Sequence, residues 1–279
     1  MTATSATVPR LDLGRVIGRS FAIIRERWRV LGFFVLVYLA ISWVFRFATP
    51  DFRQPGSQDP QRFAVGVAFT IALTFVVWLR TSALVATALA PPSARRSARG
   101  ALELALQGFP TLLPFFLVAA LPDFAQTLWV RWSGFAPNQI AKASLALSAG
   151  RTIYALAIAG GWGVLIPVVL AEKEGLGPSL ARAWRLLSGD RWRFVALYVI
   201  ASVVGFAPTM IADVIMVPIA LGMHATHRLG DYFRVQMAVV GALSVVVNAA
   251  FQVMVAVAYL ELRRVREGVG VEEASEIFA

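Results

Sequence analysis

The chain has 279 residues, 58% of them hydrophobic and 15% charged, with a mean hydropathy of +0.69. Soluble domains hold about 45–50% apolar and about 25% charged residues, so this composition excludes a water-soluble fold and implies one integral membrane domain over 1–279. There is no cysteine, which removes disulfides, thiolate metal sites and cysteine nucleophiles. The net charge of +10 sits largely beside apolar runs, where anionic head groups attract arginine, so it points to membrane lipid and not to nucleic acid.

In chain order, the first element is amphipathic. Leu13, Ile17, Phe21, Ile24 and Trp28 recur at helical spacing, with Arg15, Arg19, Glu26 and Arg29 opposite. Such a helix lies in the membrane interface, with Trp28 at the turn from surface to span. No cleaved signal peptide is expected ahead of it, because its apolar run continues directly into a first span at 30–48. A crossing needs about 20 mostly apolar residues, and five more runs qualify: 63–89, 109–130, 152–171, 194–213 and 237–260. The prolines inside them (Pro114, Pro122, Pro167, Pro208) are tolerated in membrane helices.

The junction of basic helix and span recurs. In "GPSLARAWRLLSGDRWR", 177–193, Pro178 and Ser179 open a helix. Leu180, Trp184 and Leu187 form its apolar stripe, Arg182 and Arg185 its polar one, and Trp192 marks the turn. A weaker copy, 98–116, sets Leu102, Leu106 and Phe109 against Arg99, Glu103 and Gln107. Phe109 lies 81 residues after Trp28, and Trp192 a further 83 after Phe109. The predicted architecture is therefore all-α and polytopic. It has six transmembrane helices with interfacial amphipathic helices, arranged as three helix-plus-hairpin repeats over about 8–90, 93–173 and 176–267. The alternative is that basic, tryptophan-flanked span ends are common and the period is coincidental.

Orientation follows the Lys and Arg count. Seventeen of the 26 lie before the first span, in the second and fourth connections and in the tail. Eight lie in the other connections, and Arg80 falls inside the second span. Both termini are expected to be cytoplasmic. Arg15, Arg19, Arg29, Arg182, Arg185 and Arg193 become candidate contacts for anionic lipid head groups.

Arg80 is first read as snorkelling toward head groups, since it lies toward the cytoplasmic end of its span. With Asn248 and Gln252 of the sixth span, it is also a candidate to line a polar cavity. Otherwise Asn248 and Gln252 serve as interhelical hydrogen bonds. Ala155, Ala159 and Gly163 form a small-residue strip for close helix packing. Glu261 is expected to pair locally with Arg263 to Arg266, while Glu172 is left freer. His224, His227 and Asp231 have a spacing that permits zinc, but a polar external loop is the preferred reading, so no metal is assigned. No nucleophile–base pair, phosphate loop or paired intramembrane carboxylates appear, so neither catalytic residues nor a cofactor are assigned.

Two stretches resemble a family. "SLARAWRLLSGDRWR", 179–193, and "VAYLELRRVREG", 257–268, are similar to segments of bacterial proteins related to the glycerophosphoryl diester phosphodiesterase membrane domain. In the second, Tyr259, Leu262, Arg263, Glu267 and Gly268 match. Val265 replaces an arginine, Glu261 stands where Asp is usual, and in the first stretch Ala183 replaces a frequent Ser. The opening "VIGRSFAIIRERWRVL" is similar to that family's first amphipathic segment. The resemblance implies six spans in a bacterial inner membrane. It does not imply diesterase activity, because the catalytic barrel of the named enzymes is a separate domain. The expected role is a non-enzymatic scaffold or partner subunit, bound to anionic lipid and to a protein partner or a second copy of itself. The alternative is a carrier of a lipid or small amphiphile.

Overall fold

The computed structural model describes residues 10–48, 60–90, 97–132, 137–205, 207 and 229–268. Every regular element among them is an α-helix: α1 Leu13–Ala48, α2 Pro60–Leu89, α3 Ala98–Trp132, α4 Pro137–Trp162, α5 Leu165–Glu172, α6 Leu176–Leu187, α7 over 191–205, and α8 Leu229–Glu267. Five stretches are long and apolar enough to cross a membrane: Leu13–Val44, Ile71–Leu89, Ala98–Pro122, Ala149–Glu172 and Val239–Glu267. The described residues are all-helical, and the chain is thus a multi-pass membrane protein. The run 194–213 extends beyond the described residues, which also leave out His224 and His227.

Two elements form the centre. Residues 80–89 of α2 are buried on every side, and so are 165–171 of α5. The α5 segment is apolar all round, as a helix inside a bundle is, whereas the α2 segment buries Arg80, Thr81, Ser82 and Thr87 among its apolar residues. α1, α3, α5 and α8 pack on α2, and α6 packs on α4, α5 and α8. Outward positions are apolar as well, including Leu36 and Val44 on α1, Leu117 and Leu121 on α3, and Val203 on α7. Hydrocarbon outside the bundle makes that pattern stable, where water would not.

The first junction lies one residue from the position expected. Arg27 leaves helical geometry (φ −111°, ψ 18°) and α1 kinks there, beside Trp28, which is 62% exposed. Arg27 then reaches across to α2, donating from Nη2 to the Ala90 carbonyl at 2.7 Å and from Nη1 to that of Thr87. α2 has no basic residue in its own last turn, so Arg27 supplies the cation that its C-terminal carbonyls favour. Asp12 caps the start of α1 by accepting the Arg15 amide at 3.1 Å.

The second junction is a complete break. α6 begins at Leu176, two residues earlier than Pro178 suggests, and stops at Leu187. The turn 188–190 follows, with Gly189 at φ +84°, a region that suits glycine. At the third junction α3 runs unbroken past Phe109, although it contains Pro110, Pro114 and Pro122. Ala101, Leu104, Ala105, Phe109, Leu112, Phe116 and Ala120 keep one continuous buried stripe there, so packing holds the helix through its missing donors.

The faces turned to other helices run about one residue beside the predicted apolar stripes, which lie mostly on the outer side. On α1 the enclosed positions are Val16 and Ser20, and Phe21 is exposed. On α3 Leu106 points outward. On α6 Ser179, Ala183, Leu186 and Leu187 are enclosed, and Trp184 sits at the edge. Small residues on these lines let the backbones approach, and the bulkier apolar neighbours turn outward. The run 152–171 is not one helix either, because it breaks at Gly163–Val164 between α4 and α5. Pro167 lacks the amide that would bond to Gly163 across the break, and the Phe194 ring occupies the space beside Gly163.

Candidate functional site

Most of the bundle's polar chemistry gathers at the end where α2, α5 and α8 finish. The chain has only 16 acidic residues, and four of them are drawn into this one region. Glu172, the last residue of α5, accepts Nε of Arg182 (α6) with both oxygens, at 3.2 Å each, and the Tyr259 hydroxyl (α8) at 3.1 Å. Arg182 also donates from Nη2 to Glu267. Glu267 in turn accepts Nε of Arg263 at 3.0 Å. Burial pulls the Arg182 pKa down, but the charges and hydrogen bonds of Glu172 and Glu267 outweigh it and hold the guanidinium above its ordinary value. Arg182 is therefore a fixed cation shared between two carboxylates.

A second knot ties the chain start to the same end. Asp190 is only 1% exposed. It accepts the Leu11 amide at 3.2 Å and Nη2 of Arg266 at 3.1 Å, and Arg266 donates to the Ser188 carbonyl as well. Arg193 donates to the Leu11 carbonyl at 2.7 Å, so both polar groups of that residue's backbone are pinned. A third knot is Glu261, nearly enclosed, which takes Arg15 at 3.2 Å and Arg264 at 3.5 Å and attracts Arg19.

These contacts reassign several residues. Glu172 is engaged, not free. Glu261 does find a local partner in Arg264, and it bonds across to α1 through Arg15. Of the six arginines proposed for head groups, Arg15, Arg182 and Arg193 have partners inside the protein. Arg185 is exposed, and Arg29 is exposed with its guanidinium 5.6 Å from the Trp28 ring centre. Asp190 is not singled out from sequence, and Tyr259, Glu267 and Arg266 are named there only for the resemblance or for local pairing with Glu261. All four lie in the stretches 179–193 and 257–268, which the fold sets against each other.

Deeper in the bundle, Arg80 does not snorkel. It is 7% exposed, and its Nη2 donates to Asn248 Oδ1 at 2.7 Å. Its guanidinium carbon lies 4.2 Å from the Tyr38 ring centre. The snorkelling reading fails because Tyr38 on α1 and Asn248 on α8 offer a nearer face and a nearer acceptor than the interface does. Arg80 and Asn248 thus meet in a hydrogen bond between α2 and α8. Gln252 lies one turn further along α8, half-buried.

Comparison with known proteins adds no relative: no family model, curated protein or solved structure matches the chain. Among the described residues no group of three or more His, Cys, Asp or Glu side chains is placed to hold a metal ion.

Proposed function

We propose that the chain is a non-enzymatic bacterial inner-membrane protein whose clasped end faces the cytoplasm and docks against anionic lipid, serving as a scaffold or partner subunit. One observation carries this reading: the clasp neutralises acids more completely than it neutralises arginines. Among the described residues, Arg10, Arg25, Arg29, Lys173 and Arg185 are exposed cations without an ion-pair partner, against Glu26 and Glu174 as exposed unpaired acids. Beside them stand Phe21, Trp28 and Trp192, the last 82% exposed. Basic groups beside outward aromatic rings suit the head-group layer. Six spans, three repeats and two cytoplasmic termini belong to the same proposal, supported by the kink at Arg27 and the turn at 188–190. So does the likeness to the glycerophosphoryl diester phosphodiesterase membrane-domain family, since the two stretches that carry it form the clasp.

The test is lipid retention. Arg15 and Arg182 are poor targets because reversing them would break the clasp. Replacing Arg25, Arg29 and Arg185 with glutamine should weaken retention of phosphatidylglycerol on delipidation. At about 1 kcal/mol per basic residue near a charged surface, the loss is on the order of 100-fold. Native mass spectra showing unchanged bound phosphatidylglycerol in a folded triple variant would reject the proposal.

A further inference from the structure

The Arg80 site is incomplete as it stands. α2 runs seven residues from Arg80 to Thr87, whose carbonyl Arg27 caps at the kink, so Arg80 lies roughly 10 Å further into the span. In a hydrocarbon core about 30 Å thick, that is well away from the head groups. Its Nε and Nη1 atoms are buried and have no hydrogen-bond partner, and no carboxylate among the described residues pairs with it. Its one acceptor among the described residues, Asn248 Oδ1, is neutral. Ser42, one turn beyond Tyr38 on α1, is likewise buried with an unpartnered hydroxyl. Two helices therefore direct unmet polar groups into the span. A guanidinium held in low dielectric without an anion is costly, and intramembrane arginines ordinarily have a partner.

Asn248 shows where the missing partner enters. Its Oδ1 meets Arg80, yet the residue is itself exposed and lies within the apolar stretch Val239–Glu267, so its outer side faces hydrocarbon. The way in is lateral, from the hydrocarbon side. We propose that Arg80 is the cationic half of an anion-binding site. In it, a carboxylate or phosphate oxygen displaces the Asn248 amide oxygen and takes charge-assisted hydrogen bonds from the guanidinium. Ionised acceptors bind arginine about twice as strongly as neutral ones, and the guanidinium fork fits both oxyanions. Facing hydrocarbon, the site suits an anion carried on an acyl chain. A free anion has the same chemistry, and the experiment separates the two.

The test uses the full chain in zwitterionic nanodiscs with oleate, its neutral analogue oleyl alcohol, and inorganic phosphate as probes. Wild type should bind oleate saturably and ignore oleyl alcohol. Arg80→Gln should weaken oleate at least tenfold. Because losing Arg80 can compromise folding, Asn248→Asp is the decisive variant: it places a carboxylate where the neutral oxygen sits, fills the site from within, and should also weaken oleate at least tenfold while thermal stability holds or rises. Phosphate binding with the same sensitivity to Asn248→Asp supports the site with a free anion as its occupant. Oleate binding to folded Asn248→Asp within twofold of wild type, or no saturable binding of either anion, overturns the proposal.

Discussion

Asp190→Ala is expected to destabilise the protein by about 3 kcal/mol, read as a lower unfolding temperature in mild detergent. Asp190 is enclosed, and its two oxygens serve different partners, the Leu11 amide and the Arg266 guanidinium. Removing the carboxylate leaves a buried N–H unpaired, at about 1–3 kcal/mol, and strands a cation. Stranding one member of a fully buried pair costs about 3–5 kcal/mol, but Arg266 is partly exposed and can turn to water, so the sum falls toward the lower figure. Asp190→Asn keeps an acceptor for Leu11 and should lose about half as much. Arg99→Ala is the control. Arg99 pairs with Glu103 at 2.8 Å, but both side chains are exposed, and such a pair contributes under about 0.5 kcal/mol. Equal destabilisation by Asp190→Ala and Arg99→Ala would remove the clasp from the account.

Gly163→Ala is expected to cost a similar amount for a steric reason. A Cβ at Gly163 would lie 2.1 Å from Cε1 of Phe194 and 2.6 Å from the Ala159 carbonyl oxygen. Phe194 is 1% exposed, so its ring has nowhere to go, and overpacking a filled core costs about 1–3 kcal/mol. At Gly161 the neighbour is Trp184 at 3.2 Å, and its outer position lets it yield. Gly161→Ala should stay within about 1 kcal/mol. Gly150 has nothing within 4 Å of its Cβ position, so alanine there should be neutral or stabilising by up to about 1 kcal/mol through helix propensity. Thermal midpoints should rank Gly150→Ala above Gly161→Ala above Gly163→Ala. A Phe194→Leu change should recover part of the Gly163→Ala loss. Failure of that rescue would show that the ring does not set the limit.

Much of the fold was legible because hydrocarbon imposes long apolar runs on any crossing helix. Five apolar stretches overlap the predicted spans, the first and third beginning 17 and 11 residues earlier than predicted, and α1 kinks at Arg27, beside Trp28. The buried faces were harder. Periodicity finds a stripe but does not separate a face turned to other helices from one turned to lipid, because both are apolar. Phe21 and Leu106 lie on the outward side, while Ser20 and Ala183 hold the inner lines. The clasp was hidden more deeply. Arg182 bonds Glu267 from 85 positions away and Asp190 bonds Leu11 from 179, and no local spacing encodes either contact. Arg80 was misread from its depth alone, because Tyr38 and Asn248 lie on other helices.

The stretches 179–193 and 257–268 are physically one polar clasp. The most direct measurement is a double-mutant cycle of Arg182→Ala and Glu267→Ala on thermal stability in mild detergent. A coupling energy of about 1 kcal/mol or more is predicted, well above the ~0.3–0.5 kcal/mol by which independent sites depart from additivity. Strict additivity of the two substitutions would contradict the account.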